Sequence, residues 1–92
     1  MKHYEIVPST QFKKDLKRAK RRGCSMDFLT EVIRILAAGG ALDPKYHDHE
    51  LEGNDAKCRE CHIQPDWLLV YRHYEEELVL YLLRTGSHSD LF

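Results

Sequence analysis

Apolar and polar residues alternate through HYEIVP, residues 3–8, until Pro8 interrupts them. This pattern predicts a short first strand with Ile6 directed inward. The period then changes: Phe12, Leu16 and Ala19 recur at i, i+4 and i+7, with Ser9 or Thr10 able to cap a helix and Gly23 able to end it. A second helix is expected after the cap Ser25. Its apolar positions, Phe28, Leu29, Val32, Ile33 and Leu36, form a stripe wide enough to cover a sheet before Gly39 and Gly40 stop it. A loop, ALDPKYHDHELEGND, leads to three strand-like segments at about residues 56–63, 67–73 and 78–84. Polar HYEEE separates the last two, as in a hairpin. Both are apolar on both faces and should be central. The order β-α-α-β-β-β, with short turns between the last strands, gives an α+β fold: an N-terminal strand, a two-helix hairpin, then an antiparallel sheet.

Ninety-two residues make one domain over residues 1–92, with room for one site. With 42% hydrophobic and 32% charged residues, the chain has no compositional sign of disorder. No stretch approaches the roughly 18 apolar residues of a membrane span, and the first residues carry no apolar run of signal-peptide length. A cytoplasmic protein with no membrane partner is expected. The net charge of −1 conceals a split. Residues 1–22 hold eight Lys or Arg against Glu5 and Asp15, whereas the other residues hold six against thirteen acids. The basic focus is KKDLKRAKRR, residues 13–22, a helix able to track phosphates or bind an acidic partner, or simply a solvated face.

The run CRECH, residues 58–62, has the C-x-x-C-H spacing of covalent haem attachment. Three features count against haem. Attachment normally takes place outside the cytosol, the only methionine besides the initiator, Met26, lies in a helical pattern, and the pair leads into a strand rather than a helix. Cys58 and Cys61 on a strand point to opposite faces, which also disfavours half of a zinc site. A redox pair lacks its βαβ context. The thiols read as packing residues, Cys24 is unrelated to them, and no cofactor is expected.

His47, His49, His62, Asp66, Arg84 and His88 remain, clustered late in the chain and flanking predicted strand ends. In a small antiparallel sheet, Arg84 and His88 can approach His62 and Asp66. Residues 48–53 (DHELEG), 59–71 (RECHIQPDWLLVY) and 84–92 (RTGSHSDLF) carry a resemblance. They are similar to the YafQ branch of the RelE/ParE toxin superfamily, in the same order over nearly the whole chain. The chain's pI of about 6.6 departs from the strongly basic character of such toxins, and the loop between Tyr71 and Arg84 is slightly longer.

The resemblance implies a toxin of a bacterial type II toxin–antitoxin pair that cleaves mRNA in the ribosomal A site. Its partners would be a cognate DinJ-like antitoxin, the ribosome and mRNA. By the same resemblance His49, His62, Asp66, Trp67, Arg84, His88 and Phe92 fall on active-site positions, and Arg59 and His62 on an R-x-x-H strand in which the cysteines are incidental. His88 is then the general acid, His49 the favoured base, and His62 and Asp66 orienting partners. Trp67 and Phe92 would stack on or wall in the bases, and Arg59 would contact substrate. Lys13, Lys14, Lys17, Arg18, Lys20, Arg21 and Arg22 would hold RNA phosphates.

The chemistry is consistent. Metal-independent RNA cleavage by 2′-hydroxyl attack needs a proton acceptor, a proton donor and a cation for the phosphorane charge. Imidazole, with an unperturbed pKa of about 6.5, suits the proton work, and guanidinium suits the charge. Two alternatives stay open. One is a non-catalytic or topoisomerase-targeting binding module on the same fold. The other is a metal protein using His47, His49, Cys58, Cys61 and His62.

Overall fold

The computed structural model describes residues 3–51 and 57–92. The first strand, β1 (Glu5–Pro8), is followed by α1 (Thr10–Arg21). Ser9 is the cap: its Oγ accepts the Phe12 N–H at 2.9 Å and donates to the Leu83 carbonyl at 2.8 Å, so one hydroxyl both starts the helix and fastens it to a strand. Gly23, at φ +81°, turns the chain into α2 (Met26–Ala37). Ser25 holds the cap position there without a side-chain capping bond. A 3-10 turn (Pro44–Tyr46) then precedes four strands: β2 (His49–Glu50), β3 (Arg59–Gln64), β4 (Trp67–Tyr74) and β5 (Val79–Gly86). A last turn of helix, α3 (His88–Leu91), closes the order.

The sheet runs β1-β5-β4-β3-β2. Its four later strands are antiparallel, as expected for β3, β4 and β5, but β1 lies parallel to β5, with Ile6 opposite Leu80. The long return, through both helices and strands β2, β3 and β4, permits that direction, because a parallel pair requires a crossover. Pattern reading also passed over β2, whose two residues in a polar loop pair with Glu60 and Arg59. Strand β3 begins at Arg59, later than expected, and the predicted start at Ala56 lies outside the described residues. Ile6 was expected inside, yet it is 45% exposed, because β1 is the sheet's edge; Tyr4 enters the core instead.

Helices α1 and α2 cover one face of the sheet. Phe12, Ala19, Leu29, Val32 and Leu36 meet Cys61, Trp67, Leu69, Tyr71, Leu80 and Leu82 in one cluster. Each large side chain buried there contributes roughly 1.5–3 kcal/mol. Phe28, assigned to the same stripe, is 51% exposed. Cys58 and Cys61 are both buried, and burial pushes the Cys61 thiol up to about 12, which makes it an inert packing group. Leu68 and Val70 alternate to the other face of the sheet, where the cross-strand partner of Leu68 is His62.

One charge lies under α1. Asp15 is 1% exposed, and its carboxylate accepts from Arg84 Nε at 2.7 Å, Arg18 Nη2 at 3.2 Å, Gln11 Nε2 at 3.0 Å and the Thr85 N–H at 3.2 Å. Burial pushes this carboxyl upward, but the bonds from Arg84, Gln11 and Thr85 outweigh it and leave its pKa below the ordinary value. Its contribution to stability is therefore present above the unfolded-state value, about 3.9, and is lost as pH falls through the lower folded-state value. Asp15→Ala is expected to cost about 3 kcal/mol in urea unfolding at neutral pH. Asp15→Asn should flatten the loss of stability that the unsubstituted protein shows on acidification; parallel pH profiles for the two proteins would contradict this role.

Candidate active site

Four histidines converge around His62, whose place on β3 faces away from the helix-covered core. His62, on β3, is central: its ring centroid lies 5.6 Å from that of His47, 6.4 Å from that of His49 and 5.7 Å from that of His88. Beneath them is Glu60, two residues before His62 and so on the same strand face. Its Oε1 is 3.3 Å from His49 Nε2 and 3.9 Å from His62 Nε2. Glu60 is 5% exposed, and its Oε2 has no hydrogen-bond partner among the described residues. His49 Nδ1 lies 3.0 Å from the Glu50 carbonyl. Sequence reasoning missed Glu60, although its i, i+2 spacing from His62 was a legible signal.

His88 enters from α3. Its Nδ1 is 2.8 Å from Asp66 Oδ1, and its backbone N–H donates to the same oxygen at 3.1 Å. These two bonds fix the ring to the β3–β4 turn and hold the Asp66 carboxyl below the usual carboxylate range. The helix that carries His88 is itself pinned. Ser87 and Asp90 form a reciprocal capping box, and Arg22 Nη1 and Nη2 reach the Asp90 carboxylate at 2.6 and 3.1 Å. Hydrogen bonding from Arg22 is the largest cause of a strongly lowered Asp90 pKa. Gly86 allows this close approach, since a Cβ there would meet Asp90 Cβ at 2.9 Å.

The remaining expected residues fall in different places. Arg84 is bound through Nε and Nη2 to buried Asp15, and its side chain stays 35% exposed. Arg59 meets Asp48 at 3.2 Å and Glu50 at 3.8 Å, and so holds the segment bearing His47 and His49 instead of standing free for substrate. Trp67 is 4% exposed and donates to Thr85 Oγ1 at 2.9 Å; it packs in the core and offers no face for stacking. Phe92, by contrast, is 73% exposed. On α1, Lys13, Lys14, Lys17, Lys20 and Arg21 are exposed, while Arg18 and Arg22 engage Asp15 and Asp90. Of the proposed metal ligands, His49 and His62 are brought together, and with Glu60, which was not among them, they present donor atoms within 4.8 Å of one another. Cys61 is instead part of the core.

Residues 4–92 match the family described as a bacterial toxin of type II toxin-antitoxin systems, YafQ. The mRNA interferase toxin YafQ of Escherichia coli strain K12 is 35% identical over 89 residues, covering 96% of this chain and 95% of that protein. The crystal structure of a metal-bound toxin from Helicobacter pylori superposes with a TM-score of 0.92 at 45% identity, over 97% of this chain and 99% of that one. In the E. coli DinJ-YafQ toxin-antitoxin complex, the matching chain gives 0.89 at 34% identity, over 98% of each chain.

The His88–Asp66 contact has a direct readout. Carboxyl-carbon NMR should show Asp66 titrating below an ordinary aspartate, and His88→Ala should return it upward. An Asp66 titration indifferent to that substitution would mean that the pair does not form.

Proposed function

The chain belongs to the YafQ family of bacterial type II toxin–antitoxin toxins, and we propose that it is an endoribonuclease that cleaves mRNA in the ribosomal A site by metal-independent acid–base catalysis. The observation that carries this reading is the meeting of His49, His62 and His88, distant in sequence, around one small volume. The substrate's 2′-hydroxyl attacks the adjacent phosphorus, and the P–O5′ bond breaks. His49 takes the hydroxyl proton once the substrate displaces one of the two oxygens, Glu60 Oε1 or the Glu50 carbonyl, that its ring nitrogens face. Because Oε1 of Glu60 serves both His49 and His62, a proton received by either imidazole is stabilised by one buried carboxylate. His88 gives its proton to the leaving 5′-oxygen; with Nδ1 on Asp66, Nε2 is the atom that faces the substrate. Arg84, anchored to Asp15 through Nε and Nη2, supplies positive charge against the phosphorane from the part of its guanidinium that stays exposed.

Exposed lysines on α1 then hold ribosomal RNA or mRNA phosphates in a salt-sensitive, sequence-blind manner. The same basic surface suits an acidic segment of a DinJ-like antitoxin. The action is in the cytoplasm, where ribosomes are. A non-catalytic or topoisomerase-directed module would have no use for a histidine set anchored by Asp66 and Glu60.

His88 is exposed, so His88→Ala should fold and bind antitoxin normally while losing at least about 100-fold in cleavage of mRNA on programmed ribosomes. A 2′-deoxy nucleotide at the scissile position should resist the unsubstituted protein. Full activity of the variant, or cleavage of the deoxy substrate, would remove this mechanism.

A second reading is favoured by the unpartnered Glu60 oxygen and by the metal-bound H. pylori relative. Two imidazoles and a carboxylate suit zinc or copper, and His49, Glu60 and His62 would hold the ion. An ion there would act as a Lewis acid and would withdraw both imidazoles from proton transfer. Metal is thus expected to inhibit: zinc or copper should lower the cleavage rate, chelator should leave the metal-free rate unchanged, and Glu60→Gln should weaken metal binding measured by calorimetry. Activation by the metal would reverse the assignment.

A further inference from the structure

An open cavity of about 720 Å³ adjoins the histidine cluster, with His47 and His62 in its wall. It lies within the range of small-molecule pockets, about 300–1,000 Å³. Three features of its lining are unexplained by proton transfer. Phe28 is 51% exposed, although α2 directs Leu29, Val32 and Leu36 into the core, so its ring borders the cavity instead of packing. Tyr46 presents a second aromatic wall, with Lys45 Nζ 5.2 Å from its ring centroid. Gln64 follows a shift of register between His62 and Gln64, which leaves its side chain at the cavity edge. The Tyr46 wall is preorganised: Asp43 Oδ1 accepts the Lys45 N–H at 2.9 Å, and His47 completes the turn at φ 48°.

The geometry points to a nucleobase pocket that receives a base flanking the scissile phosphate and sets which nucleotide stands there. This rests on the ribonuclease reading above. An RNA strand whose phosphate lies between His49 and His88 passes His62, which neighbours both, and so runs beside the wall that His62 shares with the cavity. An unpaired base has apolar faces for aromatic stacking, edges that an amide can read as donor and acceptor, and an adjoining phosphate for a lysine. Phe28, Tyr46, Gln64 and Lys45 supply those groups in that order. Phe92, although 73% exposed, does not line this cavity.

The test is cleavage of mRNAs that differ at the positions flanking the cut, on purified programmed ribosomes, by the full chain and by Phe28→Ala and Tyr46→Leu. Phe28 is exposed and leucine retains much of Tyr46's apolar volume, so both variants should fold and bind antitoxin. The expected result is a loss of about tenfold in kcat/KM on the preferred message, with discrimination among flanking bases flattened. Unchanged kcat/KM and unchanged cut-site distribution would overturn the pocket while leaving the ribonuclease reading intact. An equal loss on every message would also overturn it, and weakened antitoxin binding would assign the cavity to the antitoxin. No cleavage by the unsubstituted protein would remove both readings.

Discussion

The buried carboxylate of Asp15 is the constraint on which the arrangement turns. A charge at 1% exposure is tolerated only because two guanidinium groups, an amide and a backbone N–H converge on it. Those donors come from α1 and from the end of β5, so satisfying one anion locks helix to strand at the point where the chain turns towards α3. Asp90 repeats the device a few residues on, drawing Arg22 from the other end of α1. His88 stands between these two anchors.

This explains why a strongly basic helix is less free than its composition implies. Arg18 and half-exposed Arg22 are structural ties, and the other exposed cations of this segment are Lys13, Lys14, Lys17, Lys20 and Arg21. Long flexible lysines serve diffuse attraction to phosphates, whereas the planar fork of arginine suits fixed bidentate contacts. The division follows side-chain chemistry, and it leaves attraction and architecture to different residues on one helix. Arg59 follows the same rule on the opposite side of the site, where Asp48 links it to Tyr71 and to the segment carrying His49.

The histidine cluster has a comparable economy. A single buried glutamate faces two imidazoles, a single aspartate fixes a third, and the core beneath is ordinary hydrophobic packing. The C-x-x-C-H run falls into this frame. Cys61 packs against the helices, while His62, one residue later on the same strand, faces the other side of the sheet and the other histidines. Strand alternation separates the two residue types that the spacing seems to join.

Much of this was legible in the chain. Periodicity sufficed for α1, α2, β4 and β5, because a helix stripe and a doubly apolar strand are local patterns that burial enforces. Residue type sufficed for His49, His62, Asp66 and His88 as candidates, because few side chains move protons near neutrality. The parallel pairing of β1, the two-residue β2, the half-exposed Ile6 and the outward Phe28 were decided only in three dimensions. Each depends on which element lies alongside, and no local period encodes a neighbour. The same holds for Arg84 and Trp67: the chain shows a cation and an aromatic, but only tertiary packing places Asp15 against the one and Thr85 against the other. Glu60 became part of the site because folding buried its carboxylate below two imidazoles.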